Sequence, residues 1–288
     1  RLNHNSDKHF LQDGEISMPS IDNNGPLAGR TALVTGASRG IGTAIALRLA
    51  MAGARVVATG RTVEAGANPL PGTIMDTVNT INNAGGEAHA VQCDLSLPED
   101  RIRLVEETRA AVGTVDILVN NGAVTFYFPI KDFPDKRMRL MFEVQVYAAM
   151  ELAQAFLPDM IEGNRGNIVY ISSGAALHPQ KPYPAARGGT VYGMCKAAME
   201  RFSTGLATEV YDNHIAVNSI APGLVATPGA VHHNLITEAN KDIQSPVEAI
   251  AEAVCYMCRT NPQDITGRVD QIKPFMTEFG LLPEPLIG

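Results

Sequence analysis

The stretch Thr31-Ala32-Leu33-Val34-Thr35-Gly36-Ala37-Ser38-Arg39-Gly40-Ile41-Gly42-Thr43-Ala44-Ile45-Ala46-Leu47-Arg48-Leu49-Ala50 decides the fold. An apolar run, a glycine-rich turn and a second apolar segment follow one another, which reads as strand, turn and helix. Such a turn aims unpaired backbone N–H groups and the positive end of a helix dipole at one point, where a pyrophosphate sits. Gly36, Gly40 and Gly42 let the chain turn tightly, let phosphate oxygens approach and let helix pack on strand. Alone, the glycines also suit an ordinary strand-to-helix turn. Their place after the first strand favours the nucleotide reading.

Working outward, strand-like runs recur with helical segments between them: Thr31–Val34, Arg55–Thr59, Ala88–Cys93, Asp116–Asn120, Asn167–Ser172, Ile215–Ile220 and the weaker Arg268–Ile272. This alternation predicts an α/β fold of Rossmann type, a doubly wound, mostly parallel sheet of about seven strands with helices on both faces. Several runs are almost continuously apolar, as strands buried on both sides require. Two connections are longer than the fold needs, Glu64 to Gly72 and Leu177 to Thr190; both are expected to be ordered loops near the carboxyl edge of the sheet, where ligands bind.

The chain has 288 residues, 45% of them hydrophobic, enough for one large domain over 27–288 with a C-terminal extension. Residues 1–26 are polar, carry neither hydrophobic period and no leader-like apolar run, and are expected to form a flexible N-terminal arm. No uninterrupted apolar stretch reaches the ~18 residues of a membrane span, so a cytoplasmic location is expected. A net charge of -7 with scattered Lys and Arg argues against a nucleic-acid footprint. Cys93, Cys195, Cys255 and Cys258 are too few for a disulfide framework. Cys255 and Cys258 have redox or metal spacing, yet they lie in a helical run without a second ligand pair, so packing is expected and no metal.

Tyr192-Gly193-Met194-Cys195-Lys196 opens a helical stretch, so the phenol and the ammonium share a face one turn apart. A phenol with an ordinary pKa near ~10 needs a shift of roughly three units, about 4 kcal/mol, to act as acid and base near neutrality. A neighbouring lysine supplies stabilisation of the right sign, which predicts a lowered tyrosine pKa. Ser173, at the end of the fifth strand, is placed to hydrogen-bond a substrate oxygen, while Ser172 alternates to the other face.

Together these residues resemble the short-chain dehydrogenase/reductase family over about Leu27 to Gly267. The glycine turn is similar to the TGxxxGxG of its short branch, Tyr192 and Lys196 to its YxxxK, Ser173 to its catalytic serine, and Asn120-Asn121 to the start of its NNAG. Asp94 is similar to its adenine-contacting acid, and Ala221 to Thr227 to its nicotinamide-flanking PG segment. The resemblance implies that Tyr192 exchanges a proton with the substrate oxygen during hydride transfer, that Ser173 orients that oxygen, and that Lys196 holds the nicotinamide ribose and lowers the tyrosine pKa. It implies a cofactor set of Gly36, Ser38, Arg39, Gly40, Ile41, Gly42, Arg61, Asp94, Leu95, Asn121, Gly122, Tyr192, Lys196, Pro222, Gly223, Val225 and Thr227, the last meeting the carboxamide. Two departures stand out: Gly122-Ala123 inverts the usual small-residue order, and Gln145 occupies the place of a helix Asn that supports a water chain to the lysine, which puts its relay role in doubt.

NAD sites carry Asp or Glu about twenty residues after the glycines, whereas here the second strand ends Ala58-Thr59-Gly60-Arg61. Arg39 and Arg61 are suited to a 2′-phosphate, so NADP is expected ahead of NAD, with Glu64 as the one acid able to fold back onto the ribose. Val124 to Pro129, Ala176 to His178, Tyr183 and Val225 to Ile236 border the expected cleft, and their apolar character predicts an uncharged hydrophobic alcohol or carbonyl substrate. The His232-His233 pair reads as a loop feature. The helix-like run Arg137 to Phe156 is apolar nearly all round and must be covered on more than one side; with the family's habits, a homodimer or homotetramer is expected. A non-enzymatic nucleotide sensor, or a lyase or epimerase using the cofactor transiently, are the alternatives.

Overall fold

The computed structural model describes residues 18–286 apart from 20, 184–187, 233 and 239. Seven parallel strands, β1 (Thr31–Thr35), β2 (Arg55–Gly60), β3 (Ala88–Gln92), β4 (Ile117–Asn120), β5 (Gly166–Ile171), β6 (Ile215–Ala221) and β7 (Val269–Gln271), form one sheet in the order 3-2-1-4-5-6-7. The helices are α1 (Gly40–Met51), α2 (Ile74–Asn83), α3 (Pro98–Val112), α4 (Asp135–Phe142), α5 (Ala148–Glu162), α6 (Thr190–Glu209), α7 (Pro228–His232), α8 (Val247–Arg259) and α9 (Ile272–Glu278). The order reverses beside β1, whose Ala32, Leu33 and Val34 pair with Ile117, Leu118 and Val119, and the crevice beyond those carboxyl ends is where this architecture binds ligands.

Alternation along β1 divides the core. Ala32 and Val34 pack with Ile45, Leu49 and Val254 on one face, and Leu33 packs with Leu104, Phe156 and Met199 on the other. Trimming Leu33 to Ala would cost about 3 kcal/mol. Among the described residues the four cysteines are buried free thiols, and burial pushes Cys255 up to about 11 and Cys258 up to about 12.

The expected N-terminal arm lies mostly outside the described residues. Its described end is docked: Met18 and Ile21 pack against the core, and the Asn23 amide donates to the Gly85 carbonyl at 3.1 Å. The run Arg137 to Phe156 is not one regular helix. A π-helical turn, Glu143–Tyr147, separates α4 from α5 and holds Gln145 at its centre. Met141, Val146, Leu152 and Phe156 are buried, while Tyr147 is 52% and Met150 37% exposed.

The insertion after β2 is an ordered loop. Its ends are tied by Ile74 N–H to Thr62 O at 2.9 Å, and Thr73 caps α2 reciprocally: Thr73 N–H donates to Asp76 Oδ2 and Asp76 N–H to Thr73 Oγ1, both at 2.9 Å.

Candidate active site

The glycine turn is built by mutual exclusion of side chains. A Cβ on Gly42 would overlap the Gly36 carbonyl oxygen, so α1 starts hard against the end of β1. Asn121 locks the turn from β4: its amide donates to Thr35 O at 2.8 Å. The N–H groups of Asn121 and Gly122 both reach Thr35 Oγ1 at 2.9 Å. The inverted Gly122 is matched by its neighbour, because a Cβ there would stand 2.5 Å from Leu95 Cδ1. α1 has no acidic residue in its first turn and no side-chain cap, so its leading N–H groups face the cradle and favour an anion.

The other expected cofactor residues ring this cradle. Thr227 lies over Gly40, where a Cβ would meet the threonine side chain at 3.0 Å, and Thr227 Oγ1 accepts from Ala230 N–H at 3.1 Å, opening α7. Gly223 adopts φ 71°, and Pro222 and Val225 are buried beside it. Ile41 is partly buried against the core behind the turn. Asp94 Oδ1 accepts from Ser96 N–H at 2.9 Å, and Oδ2 stands 3.8 Å from Arg61 Nη1 on the rim. Arg39 Nε donates to Pro71 O at 2.8 Å and Arg39 Nη2 to Gly72 O at 2.8 Å. Ser38 lies under Gly72. A cradle closed to side chains, a leading helix end and two arginines fit a dinucleotide carrying phosphates.

At the carboxyl end of β5, Ser173 begins a single 3-10 turn, Gly174–Ala176, and its hydroxyl accepts from Ala175 N–H at 3.2 Å. α6 passes this turn at Gly193, where a Cβ would stand 2.6 Å from Ala175 O. That approach brings the Ser173 hydroxyl within hydrogen-bonding range of the Tyr192 phenol. One turn on, Lys196 is buried; its Nζ donates to Ile171 O at 2.8 Å and lies 5.7 Å from the Tyr192 ring centroid. Ser172 does not face away from this helix: its hydroxyl donates to Glu200, one turn beyond Lys196 on α6.

The electrostatics differ from the expectation. Burial pushes the Tyr192 phenol up to about 12, partly offset by the Ser173 hydrogen bond and reinforced by the neighbouring Tyr127. Burial also pushes Lys196 down to about 8 against the pull of Cys195 and Glu200. The lowered tyrosine is therefore corrected to a raised one: desolvation outweighs every favourable partner in this protein environment.

Behind Lys196 the fold gathers a polar group around Gln145, of which the sequence had marked Gln145 alone. Gln145 Nε2 donates to Val124 O at 2.9 Å, while Gln145 Oε1, Asn120 Nδ2 and Tyr170 Oη are buried without a hydrogen-bond partner among the described residues. All three residues line one small, partly open cavity with Thr35 and Lys196, with room for about one water. Arg101, also buried, joins Leu95 O at 2.7 Å, Glu143 at 2.8 Å and Glu151 at 2.7 Å, so one guanidinium ties the Asp94–Leu95 loop to the turn carrying Gln145.

Of the expected substrate border, Tyr127 packs edge-on against Tyr192 with ring centroids 6.1 Å apart, and the backbone of Phe128 abuts Gly188. Leu177 and Tyr183 are exposed. His233 lies outside the described residues.

Comparison with known proteins agrees with this architecture. The family model described as short chain dehydrogenase matches residues 30–235. An uncharacterized oxidoreductase of Methylorubrum extorquens is 34% identical over 252 residues, covering 84% of this chain and 96% of the relative. Dehydrogenase/reductase SDR family member 4 of Bos taurus is 32% identical, covering 84% and 85%. Among solved structures, a 3-oxoacyl (acyl-carrier-protein) reductase from Agrobacterium tumefaciens with NADP bound superposes with a TM-score of 0.74 at 28% identity, covering 85% and 93%. A match spanning both the nucleotide cleft and the helix of Tyr192 and Lys196 leaves one conclusion: the chain belongs to the short-chain dehydrogenase/reductase family of nicotinamide-dependent oxidoreductases.

Proposed function

We propose that this enzyme interconverts a primary or secondary alcohol and the corresponding carbonyl on an uncharged, hydrophobic small molecule, with NADP(H) as its preferred cofactor. The carrying observation is the convergence of Ser173, Tyr192 and Lys196 beside the glycine cradle. When bound, the nicotinamide supplies or accepts the hydride. In reduction, Ser173 and Tyr192 both donate to the substrate oxygen, and Tyr192 then gives up its proton as charge develops there. A phenol pushed up to about 12 carries that proton at neutral pH, the form that reduction uses. The buried Lys196 ammonium stabilises the phenolate left behind. Oxidation runs the same transfers backwards.

The NADP preference is supported by Arg39 and Arg61 at the adenosine end and by the exposed position of Glu64, which forms no salt bridge with either arginine among the described residues. NADP in the Agrobacterium structure points the same way. The exposed Tyr147 and Met150, with Met194 on α6, support self-association as a homodimer or homotetramer.

NADPH consumption against a panel of ketones and aldehydes tests the reading. Tyr192→Phe is expected to lower kcat by at least ~10³-fold while NADPH still binds. Near-normal turnover in that variant overturns the assignment.

A further inference from the structure

We propose that the loop 62–72 is a positioning clamp that holds Arg39 for the 2′-phosphate and thereby sets the preference of this enzyme for NADP over NAD. The inference rests on the cofactor reading above and adds the element that produces the preference. Arg39 is held by three acceptors of one short segment: Pro71 O at 2.8 Å from Nε, and Gly72 O at 2.8 Å and Thr62 Oγ1 at 3.3 Å from Nη2. Three of the five guanidinium N–H groups are thus committed, and the two on Nη1 are not engaged by the described residues.

All three acceptors are neutral. They fix the direction of the guanidinium without cancelling its charge, and among the described residues no carboxylate forms a salt bridge with Arg39. Arg61 faces the same region, and its only salt-bridge partner among the described residues, Asp94, stands off at 3.8 Å. Arg61 is near enough to disfavour the Arg39 charge, and a dianionic phosphate between them relieves that repulsion. A ribose hydroxyl gives no such return, so the gain falls on one cofactor only.

The loop is built to stay in place. Gly72 has φ 94°, and a Cβ there would overlap Ser38 O and stand 3.2 Å from Arg39 Cβ, so the loop lies directly on the turn that carries Arg39. Ile74 N–H to Thr62 O closes its ends, and the Thr73–Asp76 cap anchors its exit. An arginine already directed by its neighbours loses less freedom on binding phosphate than one that must be ordered by it.

Fluorescence titration of the full chain with NADPH and NADH tests the clamp. The wild type is expected to bind NADPH more tightly. Gly72→Ala, which lifts the loop from the turn, is expected to weaken NADPH about tenfold and NADH less than about twofold. In an Arg39→Met background the same change is expected to add less than about twofold, because the loop then has nothing to hold. Equal weakening of both cofactors, or a full effect without Arg39, overturns the clamp. Should Gly72→Ala not fold, Thr62→Val carries the test: a loss of about threefold confined to NADPH and absent in the Arg39→Met background supports the clamp, and unchanged NADPH binding overturns it. Wild-type protein that binds NADH as tightly as NADPH overturns the cofactor reading itself, whereas a wild-type preference that survives Gly72→Ala overturns the clamp alone.

Discussion

Gly193 passes the Ala175 carbonyl so closely that a Cβ would stand 2.6 Å from its oxygen, and this contact seats α6 on the turn that begins at Ser173. The serine and tyrosine meet because no side chain intervenes. Gly193→Ala must push helix and turn apart. A displacement of about 1 Å at a reacting pair costs on the order of 10²-fold, so kcat/KM is expected to fall by ~10- to 100-fold with little change in NADPH affinity. Steady-state kinetics beside a fluorescence titration check this.

Lys196 is held at about 8 by burial, below its ordinary range. Its ammonium is therefore complete below pH ~7 and lost as pH rises through about 8. NADPH affinity of the free enzyme is expected to be flat from pH 6 to about 7.5 and to weaken above it, with the inflection absent in Lys196→Met. On stability the sign is opposite to that of a lysine gaining a partner: the unfolded state binds more protons between about pH 8 and 10.5, so this group's contribution rises with pH across that window.

Gln145 Oε1, Asn120 Nδ2 and Tyr170 Oη border one cavity with Lys196 and have complementary hydrogen-bonding roles. A high-resolution crystal structure is expected to show one ordered water touching at least two of them. Gln145→Leu removes its acceptor, and kcat is expected to fall about tenfold with a changed solvent isotope effect, whereas Gln145→Glu should retain more activity.

Arg48 and Glu252 form a 2.6 Å ion pair whose side chains are 6% and 4% exposed, joining α1 to α8. Glu252→Ala leaves the arginine, among the described residues, with only the more exposed Glu284 at 3.3 Å. Stability is expected to drop by about 3 kcal/mol in urea unfolding, and replacing both partners by apolar residues should recover much of it.

Tyr147 and Met150 occupy the uncovered side of the long helical run. Tyr147→Arg with Met150→Glu is expected to reduce the sedimentation coefficient to that of a monomer if this face joins two copies. Unchanged sedimentation of an oligomer would place the contact elsewhere.

The seven strand runs, the glycine turn and the Tyr192–Lys196 spacing were legible because each depends on local periodicity or on residues within one helical turn. Even the weak run near Arg268 proved to be the edge strand Val269–Gln271. The π-helical turn at Gln145 was not legible, since apolar residues all round a segment carry no signal for one extra residue in a turn. Nor were Tyr170 and Asn120 visible as site residues, because each is drawn to Gln145 from a different strand. Arg39 was legible as a charge near the cofactor, but its carbonyl partners lie 32 and 33 residues away.

By itself the sequence determined the strand order of appearance, the glycine turn and the Tyr192–Lys196 spacing, because backbone periodicity and short spacings act locally. Tertiary structure decided how far burial displaces Tyr192 and Lys196, what surrounds Gln145 and how Arg39 is aimed. Desolvation and hydrogen bonding across the sheet depend on everything that packs around a group, and no short stretch of chain carries that information.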